Sequence, residues 1–162
     1  MAYGDNIKIH ITFNNDEMGG ESVWAEELGN NHARINNLPF FTDAFGFNDI
    51  VEYKLDGDED MPMKEYVRTI KQVTTSWGLK WEPTDRSDSD KVSEEWQQIA
   101  KHLKANDVKY ESAIAGLFVI ALPADKEDEE NVRWLKALKY SSPISFMILD
   151  ERFSEDNTLV SL

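Results

Sequence analysis

Cysteine is absent from the 162 residues, which excludes disulfides, thiol nucleophiles and cysteine metal ligands together. The fold must hold by packing alone. Histidine is scarce: His10, His32 and His102 sit in strand-like, turn-like and helix-like surroundings with no HxH or HExxH spacing, so no metal site is expected on them. GxGxxG, GxxxxGKS/T and GxSxG are missing, and with them the backbone cradles for nucleotide phosphates and the serine hydrolase elbow. Gly19-Gly20 reads as a plain turn. No apolar run approaches the roughly 20 residues of a membrane-spanning helix, and the opening MAYGDNIKIH lacks the basic start and apolar stretch of a signal peptide. The expectation is a cytoplasmic protein with no membrane contact, no cofactor, no metal and no catalytic residues.

Positive charge is the next shortage. Lysine and arginine number 17 against 31 acidic residues, for a net charge of -14. Phosphate backbones repel such a surface, so direct nucleic-acid binding is disfavoured. The acidity is not a tail: up to Trp81 there are 14 acidic and 7 basic residues, and beyond it 17 and 10, so each part carries -7. One reading is solubility, the other a surface that docks on a basic partner.

What is present is a change of pattern along the chain. In NIKIHITF, Ile7, Ile9, Ile11 and Phe13 alternate with polar residues, as in a strand with one buried face. VWAEEL and HARI read as a hairpin joined by Gly29-Asn30-Asn31. DIVEYKL alternates again, DGDEDMP is an acidic turn, and EYVRTIKQVTTS predicts one long β-branched strand. The segment 1–76 is thus expected to be an all-β, barrel-like unit. Beyond it, GLKWEP (78–83) reads as a strand. DKVSEEWQQIAKHLKAN predicts a helix with Val92, Trp96, Ile99, Ala100 and Leu103 inward and Asp88 or Ser89 as its cap. VKYESAIAGLFVIALP reads as a hairpin turning at Ala115-Gly116. Asp125 opens a second helix with Glu127, Asp128 and Glu129 in its first turn, Val132, Leu135 and Leu138 inward, and Arg133, Lys136 and Lys139 in its later turns. ISFMILDERF closes as a strand. The order β-α-β-β-α-β over 77–153 matches a ferredoxin-like unit, with 154–162 as a tail and an α+β fold class for the whole.

The segment NNLPFFTDAFGFNDIVEY (36–53) crowds Phe40, Phe41, Phe45 and Phe47 among turn residues. It reads as a structural corner: Pro39 fixes the chain, Phe40 or Phe41 plugs one end of the barrel, and Asn48-Asp49 turn into the next strand while Asp49 accepts from turn amides. Trp24 reads as a buried strand tryptophan. The longer run ESVWAEELGNNHARINNLPFFTDAFGFNDIVEY resembles the uncharacterised bacterial family called domain of unknown function 4265. Glu21, Trp24, Ala25, Pro39, Phe40 and Asp49 carry the likeness, and the later hairpin, acidic helix and closing strand extend it over most of 6–153. Asn48 stands where that family has glycine, and asparagine is the next-best residue for a left-handed backbone. The resemblance implies a fold and no mechanism.

The spacing of the carboxylates favours no catalytic or metal-binding role. DGDEDMP spaces Asp56, Asp58 and Asp60 alternately, but an EF-hand loop needs glycine at its sixth position and glutamate at its twelfth, where Met61 and Val67 stand. DRSDSD reads as a solvated loop or cap. Glu21 with Glu26 or Asp49 could form an acid and base pair, as any acidic chain offers. The leading functional expectation is a non-enzymatic module that binds a basic, nucleic-acid-acting protein, in the manner of an immunity protein or antitoxin. Its contacts are expected among Asp56, Asp58, Glu59 and Asp60, then Asp85, Asp88 and Asp90, then Glu127, Asp128, Glu129 and Glu130. The alternatives are a small-molecule-binding or ancillary enzyme subunit with a pocket between the two subdomains lined by Trp24, Phe40, Trp77 or Trp81, and a structural homodimer joined through GLFVIALP and ISFMIL. The chain is expected as a monomer or homodimer.

Overall fold

A computed structural model of the chain describes residues 5–13, 19–42, 44–81, 83–114, 117–126, 129–131, 133, 146–149 and 159–160. The fold is mixed and mostly β, and the chain divides into two compact units, Met1–Ser76 and Trp77–Leu162.

The first unit contains β1 (Asn6–Thr12), β2 (Gly20–Gly29), β3 (His32–Ile35), β4 (Ile50–Asp56) and β5 (Met63–Lys71). Each strand pairs antiparallel with the next, and β5 returns to β1 in parallel through His10 opposite Glu65, so the sheet closes on itself. Alternation does the folding: Ile9, Val23, Ala25, Ala33, Ile35, Val51 and Tyr53 all point to one buried core, with Phe45 added from the corner. Burying that set is the main driving force here. Asn30 and Asn31 both have positive φ, +55° and +59°, as a two-residue hairpin turn between right-twisted strands requires. The expected strand EYVRTIKQVTTS is in fact two. β5 ends at Lys71 and β6 (Thr74–Trp81) begins after a break at Gln72-Val73, because the Asp49 carboxylate accepts from the Val73 and Thr74 amides and holds the chain there. The expected strand GLKWEP therefore starts four residues early.

The second unit adds α1 (Ser89–Ala105), β7 (Tyr110–Ile114), β8 (Leu117–Pro123), β9 (Phe146–Leu149) and β10 (Leu159–Val160). Its sheet has the strand order β10-β9-β6-β8-β7. Asp88 is the N-cap of α1, accepting from the Lys91 amide at 3.2 Å. Leu79, Trp81, Ile99, Leu103, Phe118 and Ile120 form the core between helix and sheet. Residues 129–131 and 133 are helical. The expected cap-to-turn details at Glu127, Asp128, Val132, Leu135, Lys136, Leu138 and Lys139, and the Ala115-Gly116 turn, lie outside the described residues. Within the segment expected as a tail, Leu159–Val160 pair antiparallel with β9.

Candidate functional site

The corner that joins β3 to β4 hangs on two carboxylates. Glu21, on β2, accepts from three successive amides of the loop: Phe40 at 2.6 Å, Phe41 at 3.0 Å and Thr42 at 3.2 Å. Three consecutive amides converging on one point make an anion nest, and this chain fills the nest with its own side chain. Asp49 is fully buried and does the same for the other end: Oδ2 accepts from the Gly46 amide at 2.8 Å, Oδ1 from Val73 at 2.7 Å and Thr74 at 3.0 Å. Burial pushes the Asp49 carboxyl above its ordinary pKa, against the pull of the three amides. Two backbone features make this geometry possible. Asn48 has φ of +68°, and Gly46 lies so close to Thr74 that a Cβ there would meet Thr74 Oγ1 at 2.7 Å.

No acid and base pair results. Glu21 and Asp49 are each committed to amides, and Glu26 pairs instead with Arg34 at 3.1 Å across β2 and β3. The chemistry of these groups is structural: each satisfies orphan amides that a buried loop would otherwise leave unpaired.

The aromatic residues correct two expectations. Phe45, rather than Phe40 or Phe41, enters the core, packed against Tyr66 at 5.1 Å, while Phe40 is half-buried and Phe41 is exposed. Glu21 holds 40–42 by their amides, so the plug comes three residues later. Trp24 is 51% exposed, with Lys8 Nζ 4.8 Å from its ring centroid, and is not the buried strand residue expected. Its neighbours Val23 and Ala25 are both buried, so a period of two forces Trp24 outward. That signal was in the sequence.

The acidic groups expected to bind a partner fall in three places. Asp56, Asp58, Glu59 and Asp60 lie at the β4–β5 turn, where every residue of 54–63 is exposed; Asp56 accepts from the Gly57 amide and Asp58 from Asp60. Asp85, Asp88 and Asp90 gather at the start of α1. There the Ser87 hydroxyl, 2.6 Å away, and the Ser87 amide hold the Asp85 carboxyl below its ordinary pKa. Glu129 and Glu130 are exposed, Glu130 3.9 Å from Lys126, while Glu127 and Asp128 lie outside the described residues. Among the described residues no group of His, Asp and Glu is arranged to hold a metal ion.

Two features escaped the sequence reading. Glu95 is buried on α1 and accepts from the Thr84 amide at 3.0 Å; Thr84, through its side chain and amide, holds the Glu95 carboxyl below its ordinary pKa. A charged residue on the inner face of a predicted helix is the only signal that could have found it. The second is a cleft of about 360 Å³ in the second unit, lined by Asn106, Val108, Leu122, Pro123, Glu130 and the buried Asn131. The expected pocket lining of Trp24, Phe40, Trp77 or Trp81 has no part in it.

No family model and no curated protein matches the chain. Among solved structures, a hypothetical protein from Neisseria gonorrhoeae is similar in fold, with a TM-score of 0.58 at 14% sequence identity over 90% of this chain and 93% of that one. No helix among the described residues is long and apolar enough to cross a membrane.

Proposed function

We propose that this chain is a non-enzymatic, cytoplasmic protein-binding module of the immunity or antitoxin kind, which covers a basic surface of a nucleic-acid-acting partner. One observation carries the reading: the half-buried Glu21 and the buried Asp49 and Glu95 are all engaged by the protein's own amides, while the acidic groups at 56–60, at 85–90 and at Glu129 and Glu130 face solvent. The first set builds the fold and the second supplies the field. With a net charge of -14, that field steers a basic protein into encounter and weakens as salt screens it. A tagged chain exposed to cell lysate with nuclease, at low and high salt, tests this. Stoichiometric recovery of one basic protein, lost at high salt, supports it; recovery that ignores salt removes the charge argument.

The finer architecture belongs to the same proposal: a barrel-like unit followed by a ferredoxin-like one. The order β9-β6-β8-β7, with α1 between β6 and β7, supports the second label, and the return of β5 to β1 supports the first. The likeness to domain of unknown function 4265 is proposed on the same footing, through Glu21, Trp24, Ala25, Pro39, Phe40 and Asp49, with Asn48 as the departure whose positive φ the family's glycine would also allow.

A second reading, a small-molecule-binding subunit, draws on the cleft around Asn131. A thermal shift with one metabolite class, abolished by Asn131→Leu, favours it.

A further inference from the structure

We propose that the chain also self-associates, two copies laying their β4–β5 hairpins against each other antiparallel about a two-fold axis. The reasoning starts from where the apolar surface lies. Of the nine large apolar side chains exposed among the described residues, six (Leu55, Met61, Met63, Val67, Ile70 and Val73) fall on this hairpin and the residues just after it. Scattered single apolar residues need no explanation, but a concentration on one element does.

The register of the hairpin explains how two of them came to face outward. Glu52 stands opposite Arg68 while Tyr53 stands opposite Tyr66, so Val67 is skipped; Ile50 stands opposite Lys71 while Val51 stands opposite Thr69, so Ile70 is skipped. A bulge inserts an unpaired residue and re-aims its side chain. Here both bulges present a β-branched apolar group to solvent. The other face of the same strand is differently served: the Tyr66 and Thr69 hydroxyls reach the Ala44 carbonyl at 3.4 and 2.7 Å. The inner face is satisfied within the unit; on the outer face Arg68 pairs with Glu52 at 2.6 Å, while Val67 and Ile70 stay exposed.

Charge selects the occupant. The turn carries Asp56, Asp58, Glu59 and Asp60, whereas β5 carries Lys64, Arg68 and Lys71; Arg68 is already paired with Glu52 of β4 at 2.6 Å, and Glu65 is held by Thr12. A heterologous basic protein lying along the whole of this surface would meet Lys64 and Lys71. A second copy laid antiparallel sets its acidic turn over the basic end of β5 and receives the same in return, the self-complementarity a two-fold interface demands. A parallel arrangement would set acidic turn on acidic turn. Strand β5 runs nine residues from Met63 to Lys71, roughly 26 Å, long enough for both ends to engage at once. The apolar row supplies the affinity, and the charged ends fix the register.

The overall charge of -14 on each copy opposes approach. That repulsion reaches about 30 Å at 0.01 M salt and about 8 Å at 0.15 M, while apolar burial is a contact effect. Self-association is therefore stronger at physiological than at low salt, the reverse of what docking on a basic partner gives.

Sedimentation velocity over a concentration series at both salt levels is the test. The expected result is a shift from 18.6 kDa toward twice that mass, more complete at the higher salt. Val67→Glu and Ile70→Glu each weaken the dimer about tenfold or more, since a charge would be buried there. Met61→Ser, at a turn position 83% exposed that cannot unfold the unit, weakens it as well. Lys71→Glu also weakens the dimer, and adding Asp58→Lys to Lys71→Glu restores part of the loss. A single species of monomer mass at every concentration overturns the proposal. So does a dimer indifferent to both Val67→Glu and Met61→Ser.

Discussion

The two units solve the same problem, ordering a chain without disulfides, with different materials. The first builds most of its core from small and β-branched side chains, Ile9, Val23, Ala25, Ala33, Ile35 and Val51, with Phe45 and Tyr53 as its two large members, because a closed sheet of five strands leaves little interior to fill. Its seam is a single residue pair between β1 and β5, reinforced by Glu65 accepting from the Thr12 amide at 3.0 Å and hydroxyl at 2.7 Å. The second unit gathers aromatics around one residue of α1. Trp96 stacks on Trp81 at 6.3 Å and meets Phe118 and Tyr110 edge-on at 5.4 and 6.0 Å. Where side chains are small, polar anchors carry the order; where they are large, packing does. The first unit should therefore be most sensitive to loss of a carboxylate, the second to loss of a ring.

Asp49→Ala is the hardest blow to that comparison. It strands three amides at once, each costing about 1–3 kcal/mol when buried without a partner, for a loss of about 3–5 kcal/mol. Asp49→Asn keeps an oxygen for Val73 and Thr74 but turns a donor toward the Gly46 amide, so about 1–2 kcal/mol is expected. Urea unfolding followed by circular dichroism measures both. If Asn and Ala cost the same, the carboxylate is not the anchor argued for. Trp96→Ala comes next, at about 3 kcal/mol from lost burial and the cavity left behind. Read by tryptophan fluorescence, it should lower the transition of the second unit. Should Asp49→Ala and Trp96→Ala lower one shared transition equally, the division of labour fails.

How much of this was legible depends on which force decides. Strand β1, the Asn30-Asn31 turn, the cap at Asp88 and the inner face of α1 follow from local pattern, because period, positive φ and cap chemistry act within a few residues. The break at Gln72-Val73 was not legible, since it is set by Asp49, more than twenty residues away along the chain. The exposure of Trp24 was legible, because Val23 and Ala25 on either side of it are apolar and buried and the strand alternates. Phe45 lost to Phe40 in the reading because nothing local shows that Glu21 captures the amides of 40–42 first. The two bulges at Val67 and Ile70 are likewise invisible until the partner strand is known.

Tyr53 sharpens the comparison within the first unit. Its hydroxyl donates to Glu27 Oε1 at 2.6 Å. Burial first, then that bond and the charge of Glu27, raise its pKa from the ordinary 10.0 to about 12. The folded state thus keeps a proton that the unfolded chain releases. This stability is complete below pH 10 and is lost as the pH climbs through the interval up to about 12. Tyr53→Phe should cost about 1 kcal/mol at neutral pH, because Glu27 is left to solvent, and should flatten the alkaline part of the stability curve. A tyrosine absorbance titration in which every phenol of the folded wild type ionises near 10 would remove the prediction.

The smallest effects separate acids with a structural duty from acids with none. Asp88→Ala removes the N-cap of α1 and should cost about 1 kcal/mol. Glu59→Ala, in an exposed turn, should stay within about 0.5 kcal/mol. In binding the ranking should reverse. Both substitutions remove one charge from the field that would steer the proposed basic partner, but only at Glu59 does the side chain stand clear of the protein's own hydrogen bonds. Glu59→Ala should then slow association more than Asp88→Ala while leaving the melt untouched, as stopped-flow rates at two salt levels would show. If Asp88→Ala slowed association more, the partner would be meeting the start of α1, and the acids at 85–90 would serve both the fold and the field.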